Sequence, residues 1–313
     1  MSTALRKESF SVENTRGDTV HVDLRWVEDG RVKPAVIFCH GFKGFKDWGP
    51  FPAWGRALAR TGFVAVHFNF SYNGVTPEHP TQFTDLEAFA ENTYTRELDD
   101  VDAVTDFVVA NTNGLAPVDG ERIGLMGHSR GGGIAILHAD QRPDISSLVT
   151  WSSVDTFLGR FGEEQIREWR DRGYVEVINS RTGQAMRLNR VLYDDARKNR
   201  ERLDIIAAAQ RLTVPWMIVH AEDDASVAMA AARRLADAQP DSTLLQATGG
   251  HTFGGKHPHD GDVPASLREV WNATLSHFNQ TLSLGRVGKG EGGSAKGEVR
   301  RGKCERGNAK GGR

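Results

Sequence analysis

The segment Gly127-His-Ser-Arg-Gly131 has a serine at its centre, with the apolar run Ile123–Met126 before it and small residues after it. A G-x-S-x-G pattern between a strand and a helix is typical of a sharp turn that exposes the serine Oγ. Glycine is needed two positions to either side of Ser129, because the turn brings the strand and helix backbones too close for a Cβ atom. The pattern therefore predicts that Ser129 is a nucleophile.

A serine nucleophile requires a base and an acid that orients it, and in this arrangement they follow in the order Ser, Asp or Glu, His. Three adjacent acids, Glu222, Asp223 and Asp224, follow the predicted strand Trp216–His220. We prefer Asp224 because it lies just past the strand end and three residues before Val227, which begins the packing of the next helix. Asp223 and then Glu222 remain alternatives, since acids are also favoured at a helix N-terminus.

The base is predicted to be His251, which follows the final predicted strand through a pair of glycines and lies 27 residues after Asp224. That separation holds one helix and one strand. His257 and His259 form an H-x-H motif of the kind that can bind a metal, but no cysteine or carboxylate pair lies near it. We therefore interpret both as loop residues. The sequence predicts no metal site.

An acyl-transfer reaction also needs backbone N–H groups aimed in advance at the developing oxyanion. One donor is predicted to be the N–H of Arg130, directly after the nucleophile. The other is predicted to be the N–H of Phe42, in the loop that begins at His40, with Lys43 as the alternative. His40 and His128 are interpreted as framework residues, with the His128 side chain directed away from the nucleophile.

An alternation of strands and helices is needed to bring these loops to one edge of a sheet. Continuous apolar runs predict strands that are covered on both faces. The predicted strands are Ser9–Glu13, Val20–Trp26, Ala35–Cys39, Phe63–Phe68, Ile123–Met126, Ile145–Thr150, Trp216–His220 and Ser242–Gln246. Helices are predicted over 52–61, one or two within 85–111, one directly after Ser129, and over 226–238 and 264–282. Residues 1–284 are expected to form one α/β domain.

The segment of about 152–210 is longer than a single crossover helix requires. Within it, Tyr174–Ile178 and Gln184–Leu188 predict a hairpin, and helices are expected over 163–172 and 193–210. We interpret the segment as a small inserted cap.

The chain has 313 residues and a net charge of −2. Residues 285–313 hold ten glycines and nine Lys or Arg against three Glu, a composition that predicts disorder because it cannot bury enough apolar surface. A basic tail could contact nucleic acid or an anionic lipid, but we favour a solvated extension and expect no nucleic-acid or membrane partner. Cys39 and Cys304 do not form a disulfide framework, and no apolar run of 18 residues occurs. The expected location is the cytoplasm.

With these residues placed, the chain resembles the α/β-hydrolases over roughly residues 8–282. The resemblance implies an α/β fold with a mostly parallel eight-stranded sheet, helices on both faces, a Ser–Asp–His triad at the C-terminal strand ends and no cofactor. Within the family it is most similar to small bacterial carboxylesterases, some of which, the cinnamoyl and feruloyl esterases, carry a hairpin-containing cap. Ala221 occupies a position where the acid loop usually has glycine. The resemblance is carried by His40–Phe42, Gly127–Gly131, Ala221–Val227 and His251–Phe253.

The expected function is hydrolysis of a small-molecule carboxylic ester through an acyl-enzyme. An acylaminoacyl-type peptidase or amidase uses the same triad, but usually has a large N-terminal domain, for which strands beginning by residue 9 leave no room. A non-catalytic binding module is the third alternative, since fold does not fix function. It is disfavoured because all three triad positions are filled. The sequence leaves the oligomeric state open.

Overall fold

The computed structural model describes residues 4–110, 114 and 116–283. Its main sheet has eight strands in the order β1-β2-β4-β3-β5-β6-β9-β10, and β7 pairs with β8 in a separate hairpin. The strands in the described part of the chain are β1 (Leu5–Glu13), β2 (Thr19–Val27), β3 (Lys33–Cys39), β4 (Val64–Asn69), β5 (Val118–His128), β6 (Ile145–Trp151), β7 (Tyr174–Ile178), β8 (Ala185–Asn189), β9 (Trp216–Ala221) and β10 (Thr243–Ala247).

Strand β2 is antiparallel to both of its neighbours, β1 and β4. From β4 to β10 every neighbouring pair is parallel. The mostly parallel eight-stranded sheet expected from the sequence is therefore confirmed. Because parallel strands run in one direction, their C-terminal ends lie at one edge of the sheet, where the loops that carry the candidate site emerge.

Helices cover both faces of the main sheet. The helices in the described residues are α1 (Phe51–Arg60), α2 (Leu86–Ala90), α3 (Tyr94–Ala110), α4 (Arg130–Gln141), α5 (Glu163–Arg172), α6 (Val191–Lys198), α7 (Ile205–Arg211), α8 (Met229–Ala238) and α9 (Ala265–Ser283). Strand β3 shows why its sequence is continuously apolar: Ile37 packs into the core with α3, α4 and α8, while Phe38 packs into the core with α1 and α9. Alternate side chains of one strand thus serve two separate cores.

The segment 152–210, called the cap below, contains helices α5, α6 and α7 and the hairpin of β7 and β8. Trp169 of α5 is 1% exposed; its ring stacks on Tyr193 and its indole N–H donates to the carbonyl of Leu188 at 2.8 Å. Hydrogen bonds tie the cap to helix α3, since Asp195 accepts from both the backbone N–H and the hydroxyl of Thr95.

One predicted helix is wrong. The single helix expected over 193–210 is two helices, α6 and α7. Asn199 closes α6, and the carboxylate of Asp204 accepts the backbone N–H of Ala207 at 3.0 Å, which starts α7 as an N-terminal cap.

The glycine-rich segment 285–313, interpreted above as disordered, and Cys304 within it lie outside the described residues. Within 4–110 and 116–283, no helix is both long enough and apolar enough to cross a bilayer.

Strand β5 and helix α4 meet through bare backbone. A Cβ atom on Gly127 would lie 2.1 Å from the carbonyl oxygen of Gly131, and one on Gly131 would lie 2.4 Å from that of Cys39. Both distances are too short for any side chain. Glycine at these two positions is therefore a packing requirement of the turn at Ser129.

Replacement of Gly127 by alanine is expected to lower the free energy of unfolding by about 1–3 kcal/mol or more, because the new methyl group displaces the backbone of α4. Urea denaturation measures the change. The control is Gly162→Ala, at an exposed position with φ −71° and open space where the Cβ would lie. Equal unfolding midpoints for the two variants would show that the β5–α4 contact tolerates a side chain.

Candidate active site

Ser129 lies at the junction of β5 and α4 with φ 57° and ψ −118°, a backbone conformation that L-residues rarely adopt. Such a conformation costs about 1–3 kcal/mol and persists only where the surroundings fix it. Here the Ser129 N–H donates to the carbonyl of Trp151 at 2.9 Å, and the Ser129 carbonyl accepts from Gly132 and Val154. These bonds hold the residue in the turn that projects its hydroxyl from the sheet edge.

His251 and Asp224 form a hydrogen-bonded pair on the loops after β10 and β9. The imidazole Nδ1 lies 2.7 Å from Oδ2 of Asp224, and Oδ1 of the same carboxylate accepts the N–H groups of Ser226 and Val227. Burial raises the pKa of Asp224, but the hydrogen bond from His251 and those from the backbone outweigh this and lower the pKa to about 2. The carboxylate is thus ionised at neutral pH and holds the proton of the imidazole on Nδ1.

Asp223, the residue before Asp224, has different hydrogen-bond partners. Both carboxylate oxygens of Asp223 accept backbone N–H groups, from Gly250 at 3.0 Å and Gly249 at 3.3 Å. Asp223 therefore shapes the turn before His251 without bonding to its ring. Of the three acids considered from the sequence, Asp224 is the one whose carboxylate meets the imidazole.

His128 contacts the histidine loop. Its Nε2–H donates to the backbone carbonyl of His251 at 2.9 Å, and the two ring centroids are 4.8 Å apart. Burial lowers the pKa of His128 to about 3, so the ring is neutral. The framework role expected from the sequence corresponds to a specific contact: His128 holds the backbone that carries the candidate base, and its ring lines a cavity together with Ser129.

The loop after β3 passes directly beside the nucleophile. A Cβ on Gly41 would lie 3.0 Å from the Cβ of Ser129. His40 fixes this loop: its Nδ1–H donates to the Gly41 carbonyl at 2.9 Å and its Nε2 accepts the Phe70 N–H at 3.3 Å. Burial lowers the pKa of His40 to about 4, consistent with a neutral ring that donates on one side and accepts on the other. The backbone of Phe42 follows immediately.

The side chain of Arg130 makes contacts that the sequence analysis missed. Its Nη1 lies 3.0 Å from Oε1 of Glu97, with both side chains at most 10% exposed. The guanidinium also lies over the rings of Phe42 and Tyr94, at 4.4 and 4.9 Å from their centroids. Burial opposes the charge of Arg130, but Glu97 more than compensates and raises its pKa. The signal in the sequence is the position of Glu97 on the apolar face of α3, beside Tyr94 and Val101.

Two cavities meet at the nucleophile, and Ser129, His251, Phe42 and Lys43 line both. The first, about 490 Å³, is called the loop cavity; its other lining residues include Trp48, Asn179, Arg181, Lys256 and His257. The second, about 380 Å³, is called the cap cavity; its other lining residues include Tyr94, Phe157, Phe161, Trp169 and Leu192. Both sizes fall in the range of small-molecule sites.

His257, the first histidine of the H-x-H motif, packs against the loop that precedes α1. Nδ1 of His257 accepts the N–H of Gly49 at 2.8 Å, and its ring packs against Phe45 and Trp48. Among the residues that the structure describes, no group of three His, Cys, Asp or Glu is placed to hold a metal ion.

Comparisons with known proteins agree with this architecture. Residues 34–165 match the family model of the alpha/beta hydrolase fold. Est1E from Butyrivibrio proteoclasticus, solved with ferulic acid bound, is 19% identical and superposes with a TM-score of 0.66 over 88% of this chain and 99% of its own. The alpha/beta hydrolase GrgF from Penicillium sp. sh18 is 14% identical, with a TM-score of 0.67 over 89% and 99%.

An esterase domain from a Rhodothermus marinus protein is 17% identical, with a TM-score of 0.54 over 79% of this chain and 90% of that domain. A search of curated protein sequences found no match. Residues 34–165 thus match the alpha/beta hydrolase family model, and the chain has the α/β-hydrolase fold of these solved structures. The match over residues 34–165 supports a hydrolytic enzyme.

Replacement of Glu97 by glutamine is expected to lower the free energy of unfolding by about 3–5 kcal/mol, because it leaves the buried guanidinium of Arg130 without its counter-charge. The control is Asp194→Asn, which breaks an exposed pair with Arg190 and should cost less than about 1 kcal/mol. Urea denaturation of both variants measures the difference. Identical midpoints would mean that the Arg130–Glu97 pair contributes nothing specific.

Proposed function

We propose that the protein is a serine hydrolase that cleaves carboxylic esters through an acyl-enzyme intermediate. The observation that carries the proposal is the position of His251, whose Nδ1 bonds to Asp224 while the residue lines the same two cavities as Ser129. An imidazole held in one tautomer beside a serine on a strained turn is the arrangement that activates a hydroxyl for acyl transfer.

In the first half of the reaction, Ser129 Oγ attacks the carbonyl carbon of the ester and its proton passes to Nε2 of His251. Asp224 stabilises the imidazolium through the Nδ1 hydrogen bond. Arg130 is the first residue of α4, so its N–H has no carbonyl of a preceding helical turn to bond and is directed toward the developing oxyanion. The N–H of Phe42 supplies the second donor.

The C–O bond to the alcohol then breaks, and His251 returns the proton to the leaving oxygen. A water molecule attacks the acyl-enzyme, with His251 again as base, and the carboxylic acid leaves as Ser129 regains its proton. This cycle needs only the side chains and backbone N–H groups already named.

Two observations favour a small ester over a peptide. The cavities at Ser129 have the volumes of small-molecule sites, and the cap lies over one of them. The cap cavity is lined by aromatic side chains, including Phe157 and Trp169, which suit an apolar or aromatic group of the substrate. The esterase domain and the ferulic acid complex among the similar structures support the same class of substrate.

Hydrolysis of p-nitrophenyl acetate and butyrate tests the nucleophile. Ser129→Ala is expected to lower kcat at least about 10³-fold, because the acyl-enzyme no longer forms. Ser146→Ala, at a half-buried serine of β6 that bonds to the Glu121 carbonyl, serves as the matched control. A fluorophosphonate probe should label the wild type and Ser146→Ala but not Ser129→Ala. Equal turnover by all three proteins would refute the proposed nucleophile.

The acid is tested with two neighbouring isosteric changes. Asp224→Asn is expected to lower kcat about 10⁴-fold, because the amide no longer fixes the imidazole tautomer. Asp223→Asn should reduce kcat far less, since that carboxylate bonds to the backbone of Gly249 and Gly250. Steady-state kinetics on the same p-nitrophenyl esters distinguish them. The opposite order of effects would assign the acid to Asp223.

A further inference from the structure

We propose that the ester substrate carries a negatively charged group, of which a carboxylate is the simplest, and that the loop cavity binds this group. The inference rests on the proposed function and extends it to the class of ester. It assigns a recognition role to Arg181 and Lys256, together with Lys43.

The charges that line the loop cavity have one sign. Lys43, Arg181 and Lys256 line it, and no Asp or Glu of the described chain does. Neither Arg181 nor Lys256 forms an ion pair within 4.0 Å among the described residues, although the chain as a whole has a net charge of −2. Arg187 of the same hairpin differs, since it lies 3.9 Å from Glu176. A cleft that concentrates unpaired charge of one sign favours a ligand of the opposite sign.

Asn179 fixes the turn that carries Arg181. It is 6% exposed and belongs to the wall of the loop cavity. Its Oδ1 accepts the backbone N–H of Arg181 at 3.2 Å, which holds the start of the Arg181 side chain at the cavity wall. Its Nδ2 is covered by protein atoms and takes no part in binding a ligand.

The three cations reach the cavity from three different loops. Lys43 belongs to the loop after β3, Arg181 to the turn between β7 and β8, and Lys256 to the segment after His251. Lys43 Nζ also donates to the carbonyl of Ile178 at 3.1 Å, which connects the first loop to the cap hairpin. Charged groups from separate loops thus converge on one space that also holds the nucleophile.

The two cavities then divide the substrate between them. The cap cavity is lined mainly by aromatic and aliphatic side chains and suits an apolar part; of its arginines, Arg130 is paired with Glu97 and Arg160 donates to the Ser226 carbonyl. The loop cavity, lined by Arg181 and Lys256, suits the anionic part, with the scissile carbonyl at Ser129 between them. The charged group belongs either to the acyl part or to the alcohol part of the ester. Two pairs of substrates separate these cases.

The first pair is 3-acetoxybenzoate and 3-acetoxybenzamide, which differ in the charge of the alcohol part. The second pair is phenyl 4-carboxybenzoate and phenyl 4-carbamoylbenzoate, which differ in the charge of the acyl part. In at least one pair the wild type is expected to show a kcat/KM about 10- to 100-fold higher for the carboxylate, the advantage of hydrogen bonds to a charged group. Equal kcat/KM values within both pairs would overturn the proposal while leaving the ester hydrolase intact.

The double variant R181Q/K256Q should lose this preference, so that the ratio of kcat/KM between carboxylate and amide approaches one. Arg187→Gln is the matched control, because it removes the same charge from the same hairpin at a position that does not line the cavity. It should keep the wild-type ratio. A similar fall in the ratio for both proteins would show that general charge, not the loop cavity, sets the preference.

A binding measurement tests the anion site without turnover. Benzoate and benzamide are titrated into the full-length wild type and both variants by ligand-observed NMR. Benzoate should bind the wild type and Arg187→Gln at least about tenfold more tightly than benzamide, and R181Q/K256Q should lose the difference. Equal affinities in the wild type would overturn the anion site. Benzoate binding that depends on Arg181 and Lys256 in a protein that hydrolyses no ester would retain the anion site and refute the proposed function.

Discussion

The close approach of three backbones at Ser129 is the constraint from which the rest of the site follows. Strand β5, helix α4 and the loop after β3 meet within distances that exclude a Cβ at Gly127 and Gly131 and crowd one at Gly41. This packing holds Ser129 at a positive φ and brings the backbone of the Phe42 loop beside it. The strain of the serine is thus balanced by contacts that also build the walls of the site.

Around this junction, charged groups are placed in pairs that fix loops. Asp224 bonds to the ring of His251, and Asp223 bonds to the backbone just before it, so two adjacent carboxylates position one histidine from two directions. Arg130 positions the loop after β3, on the other side of Ser129. Its guanidinium is held by Glu97 and supports the ring of Phe42, which connects helix α3 to the loop beside the nucleophile. The positions of His251 and of the Phe42 loop therefore depend on a few polar contacts.

The sequence predicted the sheet and the loops better than the contacts between them. Strand β3 was predictable because both of its faces are apolar, and Ser129 and His251 were recognisable because each follows a strand through glycines. The choice of Asp224 over Asp223 depends on which carboxylate turns toward the imidazole, which adjacent residues of one type do not reveal. The Arg130–Glu97 pair joins positions 33 residues apart, and the charges of the loop cavity come from three distant segments. Local pattern carries no information on such pairings.

The attachment of the cap to helix α3 has a consequence for how this protein can diversify. Asp195 of the cap bonds to Thr95 at the start of α3. Glu97, in the same turn of α3, holds Arg130 beside the nucleophile. The cap is therefore joined to the same helix that steadies the catalytic turn. An exchange of cap segments would keep this attachment to α3 only if the incoming segment supplied a hydrogen-bond acceptor at the position of Asp195. The interchangeable unit is thus the cap together with the first turn of α3.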